Sequence, residues 1–107
     1  MNRIKLFFYI LFLFNFSDSF ALNEKWVGEW IATDEWQSEY IITLKKSGIA
    51  ISNYANGEKG KWTIVDSNIE IFWDSGKSDF LFNGVMGMQR LHKSKDKSYT
   101  SGIKKVK

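Results

Sequence analysis

The stretch GKWTIVDSNIEIFWDSG, residues 60–76, decides the fold. Trp62 and Ile64 alternate with Lys61 and Thr63, and beyond a polar break Ile69, Ile71 and Trp73 alternate with Glu70 and Phe72. A period of two is the signature of a half-buried strand. Asp66, Ser67 and Asn68 supply turn chemistry between the two runs. Directly opposed residues of an antiparallel pair point to the same face. A two-residue turn at Asp66 and Ser67 sets Trp62 opposite Ile71, and one at Ser67 and Asn68 sets Trp62 opposite Trp73. Both registers give one face of Trp, Ile, Ile, Ile and Trp, and another of mainly Lys, Thr, Glu and Asp. The hairpin therefore predicts a core face that carries both tryptophans. Val65 and Phe72 fall on the polar face, as an exterior patch or packed under the C-terminal residues.

The same period extends in both directions. Strands are predicted over 26–33, 38–45, 49–54, 61–65, 69–73, 79–82, 85–92 and, more weakly, 99–105. Ser47 with Gly48, Asn56 with Gly57, Ser75 with Gly76 and Asn83 with Gly84 punctuate them. Short connections favour antiparallel pairing, because parallel pairs need long crossovers. The expected fold is all-β: an antiparallel up-and-down meander of seven or eight short strands, curled into a small barrel or a strongly twisted sheet to hide its edges.

The 107 residues are enough for one such domain. Residues 1–21 read differently. Arg3 and Lys5 precede an apolar run over 6–16 broken only by Asn15, and Ser19 and Ala21 stand at small-residue positions. That is the pattern of a cleaved signal peptide. The apolar run is shorter than the roughly 20 residues of a membrane span, and an uncleaved anchor is the alternative. The expected division is a signal at 1–21, a barrel at 22–92 and a basic tail at 93–107 that can include a last edge strand. The chain has no cysteine, which excludes disulfides, thiol catalysis and cysteine metal sites. An exported, cysteine-free domain fits a bacterial periplasm or a released protein.

Charge is uneven. Residues 22–89 hold 6 lysines against 10 acids, whereas residues 90–107 hold 7 basic residues against Asp96. Lys93, Lys95, Lys97, Lys104 and Lys105 could touch an anionic surface, or simply protect a solvated edge strand. Export argues against nucleic acid as a partner.

Arg90 is the only arginine after residue 21, where lysine occurs 12 times. A planar guanidinium stacks on an aromatic ring as an ammonium does not. Gly28, Glu29 and Trp30 lie early, and GEW is echoed by GKW at 60–62. With Gly28-x-Trp30 on a first strand and Arg90 on a late one, the chain resembles the small lipocalin-like, or calycin, barrels. The resemblance implies that Arg90 packs across Trp30 and that Gly28, Trp30 and Arg90 form the closed end. It also implies a ligand cavity. The chain is about half the length of a typical lipocalin, so that cavity should be small.

Chemistry is less visible. Asp34, Glu35, Glu39, Asp74 and Asp79 sit near strand ends with nothing to mark a catalytic pair, and read as solvated surface. His92 is the sole histidine, beside a basic segment, with no nucleophile that can be assigned to it. No metal-ligand spacing or phosphate loop occurs, and no cofactor is implied. The expectation is a non-enzymatic binding protein. Its ligand would be small and apolar or amphipathic, held near the barrel mouth by Trp36, Phe80 and Phe82. The alternative is a protein-binding module, such as an inhibitor of an envelope or extracellular hydrolase. Periplasmic protease inhibitors of similar build insert an N-terminal segment into their target, and residues 22–25 are short for that purpose.

Overall fold

The computed structural model of the protein describes residues 24–107. The expected signal and its cleavage site lie outside the described residues. Eight antiparallel strands follow in order: β1 (Gly28–Thr33), β2 (Glu39–Leu44), β3 (Ile49–Ser52), β4 (Glu58–Val65), β5 (Asn68–Trp73), β6 (Ser78–Gly84), β7 (Gly87–Lys93) and β8 (Ser98–Lys105). Each pairs with its neighbours in sequence, and β8 pairs with β1 to close the barrel. The all-β meander expected from periodicity is the fold observed. The ladder closes within β1–β8, so its pairing is complete without residues 1–23.

The opening hairpin takes the first of its two permitted registers. Trp62 stands opposite Ile71, Ile64 opposite Ile69 and Gly60 opposite Trp73. Asp66 and Ser67 form the turn with φ of 50° and 70°. Positive φ at both central residues is the type I′ pattern, whose twist matches that of the strands it joins. This register separates the tryptophans. Trp62 donates its indole N–H to the Lys45 carbonyl, in the turn below β2. Trp73 lies at the other end of the barrel and donates to Asp79.

Alternate turns lie at opposite ends. The β1–β2, β3–β4, β5–β6 and β7–β8 turns form the top, and the other three turns lie at the base with both ends of the described segment. The lower interior is filled by Trp26, Trp30, Leu44, Trp62, Leu81 and Ile103, all buried. Residues 24–26 make one helical turn rather than the start of a strand. It lays Trp26 on Trp30 at 5.5 Å, and the Trp30 indole donates to the Trp26 carbonyl.

Both glycine–tryptophan echoes have one physical cause. A Cβ on Gly28, at φ 141°, would collide with the Lys107 carbonyl. One on Gly60 would collide with the Phe72 carbonyl and lie 2.8 Å from the Trp73 Cα. Each glycine lets backbone pass where the barrel wall is tightest.

Two expectations need correction. The 93–107 segment is not a tail, and its strand is not an edge: β8 lies between β7 and β1. The β6–β7 turn is made by Val85 and Met86, which are 104% and 90% exposed, not by Asn83 and Gly84. Apolar character placed Val85 in a strand, but Gly84 and Gly87 pair across the tip. Val65 and Phe72 are both exposed on the exterior.

Gly60→Ala should lower the unfolding free energy by about 1–3 kcal/mol through overpacking. Gly102→Ala, where an added Cβ meets nothing within 4 Å, should be neutral or stabilising. Urea midpoints of the two variants test the difference.

Candidate functional site

Strand parity sets what points into the upper barrel. Ile69 and Ile71 on β5 face inward, and their partners on β6 are Leu81 and Asp79. Asp79 therefore points inward too, and it is only 2% exposed. The expectation that Asp79 is a solvated carboxylate is overturned. Arg90, opposite Leu81, is fully buried.

The two charges meet directly. Arg90 Nη1 donates to Asp79 Oδ1 at 2.6 Å. Arg90 Nη2 reaches the Thr33 carbonyl at 2.6 Å, and Tyr99 Oη and Ser101 Oγ at 3.3 Å. Arg90 Nε is buried without a partner. Asp79 Oδ2 accepts the Trp73 indole N–H at 2.7 Å, and Oδ1 also accepts His92 Nδ1 at 2.8 Å. A carboxylate only accepts, so His92 Nδ1 is the donor in this contact.

Burial alone would raise the Asp79 pKa. The His92 hydrogen bond, the Arg90 charge and the Trp73 N–H outweigh it and hold the carboxyl below the usual carboxylate range. Burial likewise opposes the charge on Arg90, and Asp79 more than offsets it, so the guanidinium stays cationic. Burial pushes the Tyr40 phenol well above its ordinary value, against the pull of Arg90.

The stacking implied by the lipocalin-like resemblance is not the one formed. The Arg90 guanidinium lies over Tyr40 at 5.6 Å and Tyr99 at 5.4 Å. Trp30 is opposite Lys105 on β8, whereas Arg90 is opposite Ser101, so the two sit at different levels. Gly28 and Trp30 belong to the closed base, while Arg90 lies beneath the open top.

Above this network is a recess of about 260 Å³. Its walls include Tyr40, Ser52, Tyr54, Trp73, Asp79, His92 and Tyr99. Rim ion pairs span neighbouring turns: Lys97 to Glu35 at 2.6 Å and Lys77 to Glu58 at 3.3 Å. Both are partly in water and count for little in stability. Among the described residues no group of three or more His, Cys, Asp or Glu is placed to hold a metal ion.

The residues expected to hold a ligand divide. Phe80 and Phe82 alternate with the inward Asp79 and Leu81, so they stack on each other outside the barrel at 5.8 Å. They line no part of the recess. Trp36 is 77% exposed on the β1–β2 turn at the rim. Its turn is braced by Asp34, whose Oδ1 accepts the backbone N–H groups of Trp36 and Ser38 at 2.9 and 2.8 Å. His92, Tyr99 and Asp79 form the site and were not selected from sequence. The available signal was the lone arginine, which once buried demands a buried anion.

No family model, curated protein or solved structure matches the chain. The site must be read from its own geometry.

A carboxyl whose native pKa lies below its unfolded value stabilises the fold above that value, and its contribution fades as pH falls through the native pKa. Stability should therefore decline from about pH 4 downward. Asp79→Asn should cost roughly 3–5 kcal/mol at pH 7, because it strands the buried Arg90 charge, and should flatten the decline in acid. Urea unfolding of both proteins between pH 7 and pH 2 measures the two effects.

Proposed function

We propose that the chain is an exported, non-catalytic binding protein that takes a small amphipathic ligand into the top of its barrel. The observation that carries this reading is the polar recess of about 260 Å³ above a floor filled by side chains. It has the bulk of roughly nine waters, at about 30 Å³ each, just below the usual range for small-molecule sites. The aromatic faces of Tyr40, Tyr54 and Trp73 offer apolar contact, and the phenols, Ser52 and His92 offer hydrogen bonds. A wholly apolar ligand fits less well, because the apolar part of the interior is already occupied. A closed eight-stranded antiparallel barrel is compatible with such a role.

Two features support a binding role over a catalytic one. Asp79 is held as a stabilised anion by three donors, which makes it a weak base. Ser52 Oγ already accepts the Tyr54 backbone N–H at 3.0 Å.

A second reading, a protein-binding module such as a hydrolase inhibitor, is favoured by Trp36. An exposed tryptophan on a hydrogen-bonded turn is the kind of residue that anchors protein interfaces. It stands on the same rim, so a bound protein would cover the recess.

Native mass spectrometry of protein purified from its own host should show a non-covalent adduct on the processed chain. Tyr54→Trp should crowd the recess and remove it, while Trp36→Ala should leave it in place. A bare mass from every preparation, with no solute altering tryptophan emission, contradicts the small-ligand reading. Loss of an envelope protein partner on Trp36→Ala would favour the second.

A further inference from the structure

The base of the barrel differs from the top, and one side of it has a composition that the fold does not require. The Val85–Met86 tip is the most exposed apolar feature described, at 104% and 90%. Turn tips favour Gly, Asn, Asp and Ser, and the other two base turns follow that rule with Ser47-Gly48 and Asp66-Ser67. Val85 and Met86 stabilise nothing in the barrel, since neither is packed.

Their neighbours are cationic. Toward the base the β7–β8 ladder ends at Gln89 opposite Gly102, two residues from Gly87 on β7 and two from Lys104 on β8. β8 then ends beside the start of β1, where the Val106 N–H donates to the Glu29 carbonyl at 2.9 Å. Val106 is itself 43% exposed. Lys25, Lys104 and Lys107 are exposed at the same seam. Glu29 is the one acid on β1 and β8; Glu24, exposed beside Lys25, pairs with Lys46 at 2.8 Å, and Asp66 belongs to the β4–β5 turn on the opposite wall. The expected set of five lysines is divided by the fold. Lys93, Lys95 and Lys97 lie at the top, and Lys104 and Lys105 at the base, about 23 Å away along β8.

We infer that this side of the base is a membrane-docking surface, with Val85 and Met86 entering the interface of an anionic phospholipid bilayer and Lys25, Lys104 and Lys107 contacting its headgroups. Charge complementarity selects an anionic bilayer, because an apolar tip flanked by lysines is the combination that interfacial binding uses. In this orientation the recess opens away from the membrane. The inference is independent of what the recess holds.

Co-sedimentation of residues 22–107 with lipid vesicles tests it, since the barrel ladder is complete in that segment. The protein should sediment with phosphatidylglycerol–phosphatidylethanolamine vesicles and not with phosphatidylcholine vesicles. High salt should release it. The double substitutions Val85→Asp with Met86→Asp, and Lys104→Glu with Lys107→Glu, should each weaken binding about 10-fold or more. Thermal melts should be unchanged, because all four side chains are exposed. Trp36→Ala, at the other end, should bind as the parent does. Absence of binding to anionic vesicles at low salt, or binding that either double substitution leaves unaltered, overturns the inference.

Discussion

The ion pair between Asp79 and Arg90 is the contact on which the upper barrel depends. Two opposite charges are buried on adjacent strands, and neither carries its full set of ideal contacts. Arg90 meets the carboxylate through one nitrogen and spends the other on Thr33, Tyr99 and Ser101. In doing so it ties β7 to β6, β8 and β1, the strands that flank the closing seam. Removing two ions from water is costly, and apolar residues of similar volume often serve stability as well or better. What the pair adds is a polar layer. Below it the interior is packed with tryptophan and aliphatic side chains. Above it, Trp73, His92, Tyr99 and Tyr40 are held by hydrogen bonds or by stacking on the guanidinium, and their polar groups line the recess.

Much of this was legible in residues 60–76. Alternation gave the strands and the shared face of Trp62, Ile64, Ile69, Ile71 and Trp73. It could not choose between two turns one residue apart, since both satisfy the same parity. The choice has a steric component that sequence pattern does not display. The observed register sets Trp73 against Gly60, where a larger residue would collide with the opposite backbone. The consequence is that Trp62 serves the base and Trp73 serves the site.

The site itself was hidden by a parity of the opposite kind. In Asp79, Phe80, Leu81 and Phe82, hydropathy favours the phenylalanines for the interior. The ladder from β5 decides otherwise, because Ile69 and Ile71 fix the inward positions of β6 as Leu81 and Asp79. A short strand with aromatic residues on its outer face misleads any reading made strand by strand. His92 was hidden by the lysines around it, which point outward or sit in the turn. Arg90 was conspicuous from sequence, but its partner could not be selected among several carboxylates without the register. The lipocalin-like resemblance implied stacking of Arg90 on Trp30, whereas the guanidinium lies over Tyr40 and Tyr99.

Asp79 and Arg90 act as one coupled unit. A double-mutant cycle in urea at pH 7, using Asp79→Leu, Arg90→Met and the double variant, measures that coupling most directly. Each single change should be strongly destabilising, and the double variant should recover at least about 2 kcal/mol of their sum, since no charge is left buried alone. Single changes that add within about 0.5 kcal/mol would contradict it.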